Sequence, residues 1–129
     1  MKTRLVMTAS SLFMAIAGIA ATFLPQEIAA RLGQAGTPAL TLGIQVLGAL
    51  YLGFAGLNWT AKDSLIGGIY NRPVAMANLL HFIVAALALV KALFAGPPAA
   101  ALVSIAAVYA VFAVAFAMIF FTSPVKTAA

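Results

Sequence analysis

The sequence predicts an all-α fold, an integral membrane four-helix bundle with both termini in the cytoplasm. Of the 129 residues, 65% are hydrophobic and only 7% are charged, whereas a soluble domain carries about 25% charged residues. So few charges cannot cover a water-facing surface, which excludes a soluble globular domain and a disordered chain. The charges also separate four long uncharged stretches, which are Leu5–Gln26, Leu32–Ala61, Pro73–Val90 and Ala92–Val125.

The first uncharged stretch predicts a membrane span over residues 5–24. A helix needs about 20 apolar residues to cross about 30 Å of hydrocarbon. Lys2 and Arg4 before this run also resemble the start of a secretory signal peptide. Because the run is long for such a peptide, we expect an uncleaved first span.

The segment between the first and second spans predicts a short outer helix over about residues 25–33. Pro25 suits a first helical turn, and Glu27 and Arg31 complement the two ends of the helix dipole. Gly33 then stops the helix. We expect this helix to lie flat on the outer surface of the membrane, with a simple connecting turn as the alternative.

The other three spans are predicted at about residues 38–59, 73–94 and 99–121, so that residues 1–129 form a single transmembrane domain. Pro38 and Pro73 stand in first turns, where a missing N–H costs nothing. Gly96-Pro97-Pro98 breaks the chain before the fourth span, and Pro124 follows it. Apolar and polar residues do not alternate with the period of two that the strands of a β-barrel require.

The distribution of Lys and Arg predicts the orientation, because basic residues concentrate in cytoplasmic loops. If every span crosses, five basic residues fall on one side, namely Lys2, Arg4, Lys62, Arg72 and Lys126. Arg31 and Lys91 fall on the other side. The sequence therefore predicts an N-in/C-in arrangement.

Stripes of small and polar residues predict the packing faces, because helices in lipid associate through such residues. The stripes are Ser11, Met14, Gly18 and Thr22; Ile44, Gly48, Tyr51, Ala55 and Asn58; Asn78, His81, Ala85, Ala88 and Ala92; and Ala106, Ala110, Ala113 and Ala117. A neighbouring face of the second span carries Gln45, Ala49, Gly53 and Gly56. We expect the phenylalanine stripe Phe112, Phe116 and Phe120 to face lipid or a second copy.

Uncharged polar residues on the cytoplasmic side form the main candidate binding site. They are His81, Asn78, Tyr51, Asn58 and Arg72, with Ser10 and Ser11 at a similar depth. A histidine within a span is by default a candidate functional residue. His81 could tie helices together through hydrogen bonds, handle a proton or ligand, or ligate a metal or haem.

Lys91 and Gln45 form a second candidate site towards the outer surface. Lys91 lies close enough to the end of its span for its side chain to snorkel to the interface. The alternatives are a positive site, with Gln45 and Ser104, for an anion or lipid head group, and an ion pair with Glu27.

The sequence lacks the residues that metal binding and Ser/His/acid catalysis require. Cysteine is absent, there is one histidine, and the spans contain no carboxylate, so neither a metal site nor a catalytic Ser/His/acid set can be assembled. No cofactor can be named, and a bis-histidine haem would need two copies. The basic residues are scattered singly, which does not indicate nucleic-acid binding.

Residues 57–73, together with Asn78 and His81-Phe82, resemble small four-span bacterial inner-membrane proteins. The resemblance implies a location in the bacterial inner membrane. No activity is assigned to that group, so it implies no functional residue.

Three functions therefore stay open, and an enzyme ranks last. The leading hypothesis is a structural or accessory helix-interaction module, whose partners are the lipid bilayer and either further copies of itself or a larger membrane complex. The second is a transporter or channel-like module for a small solute or ion. The third is a lipid-, quinone- or pigment-binding protein.

Overall fold

A computed structural model describes residues 3–34, 36–97 and 99–125 as helices joined by short connections. The helices are α1 (Thr3–Phe23), α2 (Pro25–Arg31), α3 (Pro38–Ala61), α4 (Arg72–Phe94) and α5 (Ala100–Phe121). The prediction of an all-helical chain with four long apolar helices is confirmed, because α1, α3, α4 and α5 are long and apolar enough to cross a membrane. Lys2 and Lys126, which contribute to the predicted orientation, lie outside the described residues.

The chain divides into two compact units. The α1–α3 unit is Met7–Lys62, and it contains most of α1 with α2 and α3. The α4–α5 unit joins Met1–Val6 to Asp63–Ala129.

The short helix predicted after the first span is present as α2. Pro25 stands at its start, Glu27 lies in its first turn and Arg31 in its last. At its end, Gly33 takes a φ of 72°, and the N–H groups of Gly33 and Gln34 donate to the carbonyls of Ala30 and Ala29. This is the Schellman arrangement, which favours glycine because of the positive φ.

Two glycines bring α1 and α3 into close contact within the α1–α3 unit. A Cβ on Gly48 would lie 2.6 Å from the Thr22 hydroxyl oxygen and 2.9 Å from the Gly18 carbonyl oxygen. A Cβ on Gly18 would lie 3.0 Å from the Gly48 carbonyl oxygen. Only glycine fits at these positions, so backbone meets backbone as in other small-residue helix contacts.

The predicted packing faces of α1 and α3 agree with the burial of their side chains. The buried residues from those two stripes are Ser11, Met14, Gly18, Ile44, Gly48, Ala55 and Asn58. Thr22 and Tyr51 are half-buried. The neighbouring α3 face, also predicted to pack, is instead exposed at Gln45, Ala49, Gly53 and Gly56.

The expected outward position of the phenylalanine stripe on α5 is wrong. Phe116 is fully buried, Phe120 is buried and Phe112 is half-buried. Phe82 of α4 stacks on Phe116, with ring centroids 5.5 Å apart and planes 7° apart, and lies 4.8 Å from the Phe112 ring. Rings on both helices of the α4–α5 unit pack together, and such pairs add about 0.5–1.5 kcal/mol beyond area burial.

The packing stripe predicted on α4 also needs correction. The buried residues of α4 are Ala75, Asn78, Phe82 and Ala86. Of the predicted stripe, His81 and Ala85 are half-buried, whereas Ala88 and Ala92 are exposed. After Asn78, the buried positions are Phe82 and Ala86 instead of the predicted His81 and Ala85. The buried face is therefore displaced by one residue, or roughly 100° around the helix, from the predicted face.

A tight turn between α3 and α4 packs against the end of α5. Gly67 has a φ of 128°, and a Cβ there would lie 2.5 Å from the Thr122 carbonyl oxygen. The Gly68 N–H donates to the Phe120 carbonyl at 3.3 Å. Asn71, which has a φ of 46°, donates from its side chain to the Leu65 carbonyl at 2.7 Å and so fixes the start of α4.

Candidate functional site

A buried polar clamp joins α1 to α3. The Asn58 amide donates to the Ser10 hydroxyl at 3.0 Å, and that hydroxyl donates to the Met7 carbonyl at 3.1 Å. The Ser11 hydroxyl donates across to the Ala55 carbonyl at 2.8 Å. Asn58 and Ser10 are fully buried, so these groups satisfy one another where water is excluded.

The sequence contained a signal for the partner of Asn58. Ser10 and Ser11 are adjacent hydroxyl residues in an otherwise apolar run, and their estimated depth matches that of the predicted polar residues. We predicted them at that depth but not as site residues, yet Ser10 accepts from Asn58 and Ser11 donates to Ala55. Tyr51, in the same unit, is half-buried on the inner side of α3.

Asn78 and His81 lie one turn apart on α4. Asn78 is fully buried, and its amide donates to the Val74 carbonyl one turn earlier at 2.9 Å. The half-buried His81 ring lies 5.0 Å from the Phe82 ring and 5.7 Å from the Tyr109 ring, between centroids. His81 therefore borders the aromatic core of the α4–α5 unit, and Tyr109, absent from the predicted set, is one of its neighbours.

Arg72 begins α4, and its guanidinium lies 5.1 Å from the centroid of the Phe120 ring. Near the same turn, Arg4 and Asp63 form an exposed ion pair at 3.0 Å. Exposed pairs contribute little stability, about 0–1 kcal/mol. Arg72 itself is exposed and lies nine residues, about 13 Å, before His81 along α4.

The two residues of the predicted outer site occupy exposed positions. Lys91 lies in the last turn of α4, where its charge complements the helix dipole. Gln45 is on α3, and its amide donates to the Thr22 carbonyl at 3.4 Å, longer than most N–H···O bonds. The ligand-binding role predicted for both residue sets stays a prediction.

The side of α3 away from α1 is an open surface of small residues. Ala49, Gly53 and Gly56 are exposed, and a Cβ on Gly53 or Gly56 would meet nothing within 4 Å. We call these three residues the α3 small face. At about 100° per residue it lies about 140° around the helix from the buried Ile44–Asn58 stripe.

A groove runs along this surface of α3. It has a volume of about 480 Å³ and is lined by Val46, Ala49, Leu50, Gly53, Phe54 and Leu57. Its lining combines the small residues Ala49 and Gly53 with larger apolar side chains. Small residues of this kind let a second helix backbone approach closely in lipid.

Metal binding finds no support in the described part of the chain. There, no group of three or more His, Cys, Asp or Glu residues is placed to hold an ion. Comparison with protein-family models, curated proteins and solved structures gives no match. The chemistry that the described residues offer is hydrogen bonding between helices, aromatic packing and an open small-residue surface.

Proposed function

We propose that the protein is a multi-pass protein of the bacterial inner membrane that acts as a helix-interaction module. The α3 small face is its docking surface, and a transmembrane helix of a partner is what it binds. Four helices of sufficient length and hydropathy support insertion into a membrane. Exposed apolar side chains such as Ile16, Val111 and Phe121, which are 70%, 68% and 79% exposed, also suit lipid rather than water.

The observation that carries the docking proposal is the poor coverage of α3. Only 11% of its apolar segment is buried, compared with 39% for α1, 22% for α4 and 28% for α5. The uncovered side nevertheless has glycines, which a helix that only faces lipid does not need. Small residues at an exposed position gain their stabilising contacts when a second backbone approaches.

The buried polar groups favour packing over transport or ligand binding. Asn58, Ser10 and Ser11 use their side chains in hydrogen bonds to other protein groups. A transport site would need such groups to face a solute path. Within the α1–α3 unit they act instead as ties between helices, which is the first of the three roles that the sequence left open.

The test uses a photoreactive leucine analogue at Leu50, which lines the groove, and another at Val111, an exposed position on α5. In native membranes we expect a protein adduct from position 50 and only lipid adducts from position 111. Gly53→Leu should abolish the adduct at position 50, because the leucine fills the groove. The helix content and thermal stability of Gly53→Leu should stay unchanged, since the position is open in the folded chain.

Equal adducts at both positions, or an adduct that survives Gly53→Leu, would overturn the docking proposal. Native mass spectrometry of the detergent-extracted protein separates the alternatives. A bound small molecule lost in His81→Ala would favour ligand binding, and visible absorbance would identify a pigment. A mass that corresponds to the protein bound to another helical membrane protein, with no small molecule, supports the proposal.

A further inference from the structure

We infer that Arg72 binds the phosphate group of a phospholipid in the adjoining membrane leaflet. This inference goes beyond helix docking, because it concerns the α4–α5 unit and a lipid instead of α3 and a helix. It shares with the proposed function only the insertion of the protein into a membrane. Two observations carry it, namely an arginine without a carboxylate partner and the exposed apolar turn that precedes it.

The guanidinium of Arg72 has no carboxylate partner among the described residues. The sequence contains two acidic residues, Glu27 and Asp63, and only Asp63 belongs to the α4–α5 unit. Asp63 pairs with Arg4 at 3.0 Å. Because a guanidinium is always charged and has five N–H donors, Arg72 retains a charge and donors for an anion from outside the chain.

The Phe120 ring gives this guanidinium a fixed position. The guanidinium lies 5.1 Å from the centroid of the ring, within the range of a cation–π contact, and Phe120 is itself buried. The Asn71 amide, which donates to the Leu65 carbonyl at 2.7 Å, fixes the start of α4. A guanidinium held in this way loses less freedom on binding, and its planar fork matches two oxygens of a phosphate.

The turn that precedes Arg72 exposes apolar side chains. Leu65 and Ile69 are 53% and 77% exposed, and Tyr70 is exposed as well. Apolar side chains in a connecting turn suit acyl chains better than water, and tyrosine is typical of the headgroup level of a membrane. A phospholipid carries both a phosphate for Arg72 and acyl chains for this turn, whereas inorganic phosphate would use the arginine alone.

The charge of the headgroup decides which phospholipid binds better. A lipid phosphodiester carries one negative charge, which a single guanidinium neutralises. Phosphatidylglycerol has no other charge, whereas the ammonium of phosphatidylethanolamine already balances its phosphate. Basic residues at a membrane surface attract anionic lipids for this reason, so we expect Arg72 to prefer phosphatidylglycerol.

The test is native mass spectrometry of the delipidated protein in detergent. Phosphatidylglycerol, phosphatidylethanolamine and inorganic phosphate are titrated separately, and then phosphatidylglycerol is titrated against an equal concentration of inorganic phosphate. We expect a first phosphatidylglycerol molecule to bind more tightly than phosphatidylethanolamine and to resist inorganic phosphate. Arg72→Gln should weaken this first binding about tenfold, because the charge-assisted hydrogen bonds are lost.

Two further variants serve as controls. Arg31→Gln removes the same charge from an exposed arginine of α2 and should leave the affinity within about twofold. Arg72→Lys keeps the charge but loses the planar fork, so it should weaken binding about threefold. It also keeps the test decisive if Arg72→Gln does not fold, which circular dichroism checks.

Three results would overturn the inference. Equal weakening by Arg31→Gln and Arg72→Gln would indicate a general attraction of charge. Unchanged affinity in both Arg72 variants would exclude the residue. Displacement of the lipid by inorganic phosphate would indicate a site for free anions. The docking proposal fails separately, because the photo-adduct from position 50 should depend on Gly53 and be the same in Arg72→Gln.

Discussion

At the scale of single residues, the polar side chains of Ser11, Gln45 and Asn58 donate hydrogen bonds between α1 and α3. Asn58 was predicted as part of a binding site, and its amide donates to the Ser10 hydroxyl. The buried Ser10 hydroxyl accepts from Asn58 and uses its single donor on the Met7 carbonyl. The same chemistry that suggested ligand binding therefore serves helix packing in the α1–α3 unit.

The Asn58–Ser10 pair predicts a measurable coupling energy. A double-mutant cycle of Asn58→Ala and Ser10→Ala should give about 0.6 kcal/mol and at most about 1.7 kcal/mol, the range for interhelical hydrogen bonds in membranes. The measurement is unfolding in mixed detergent micelles, followed by circular dichroism.

The control cycle pairs Asn58→Ala with Thr41→Ala. Thr41 is seventeen residues earlier on the same helix, about 25 Å away, so the two changes should be additive within about 0.5 kcal/mol. A coupling between Asn58 and Ser10 no larger than this control would contradict the role given to the bond.

At the scale of elements, glycines on opposite sides of α3 have different environments. Gly48 faces α1 with no room for a Cβ, whereas Gly43 and Gly53 face open space. The sequence alone does not distinguish them, because all are glycines in one apolar helix. Only the position of α1 separates a glycine required for packing from one available for docking.

Gly48→Ala should therefore destabilise the protein, and Gly43→Ala should not. We expect Gly48→Ala to lower the free energy of unfolding by about 1–3 kcal/mol, the usual cost of overpacking. Gly43→Ala should be neutral or slightly stabilising, because alanine favours helix over glycine. Equal effects of the two substitutions, measured by the same micelle unfolding, would show that α1 and α3 do not meet at Gly48.

At the scale of the whole molecule, the question is how the chain inserts into a membrane. Among the described residues, Arg4, Lys62 and Arg72 belong to the side predicted to be cytoplasmic, and Arg31 and Lys91 belong to the side predicted to be outside. Basic residues are retained in the cytoplasm during insertion. We therefore expect the connection between α2 and α3 to be outside and that between α3 and α4 to be inside.

Two single-cysteine variants test this orientation. Gln34→Cys, in the connection before α3, should react with a membrane-impermeant maleimide on intact spheroplasts. Ile69→Cys, 77% exposed in the turn before α4, should react only after the membrane is permeabilised. The reverse pattern would overturn the N-in/C-in prediction, and reaction of both before permeabilisation would indicate mixed insertion.

The sequence alone determined that the chain is helical, that four helices are long and apolar, and the ends of the helices to within about two residues. Charge spacing, prolines and glycines fix these features locally, so α2 and the four long helices agree with the predicted segments. Tertiary structure decided which sides face inward. On α1 and α3, serines, glycines and Asn58 distinguish one side from the other, and there the predicted faces were right. The alanine stripe predicted on α5 is also buried or half-buried. Nearly every side of α4 and α5 is apolar, however, so the inward position of rings such as Phe82 and Phe116 depends on how they fit together, and that fit requires both helices.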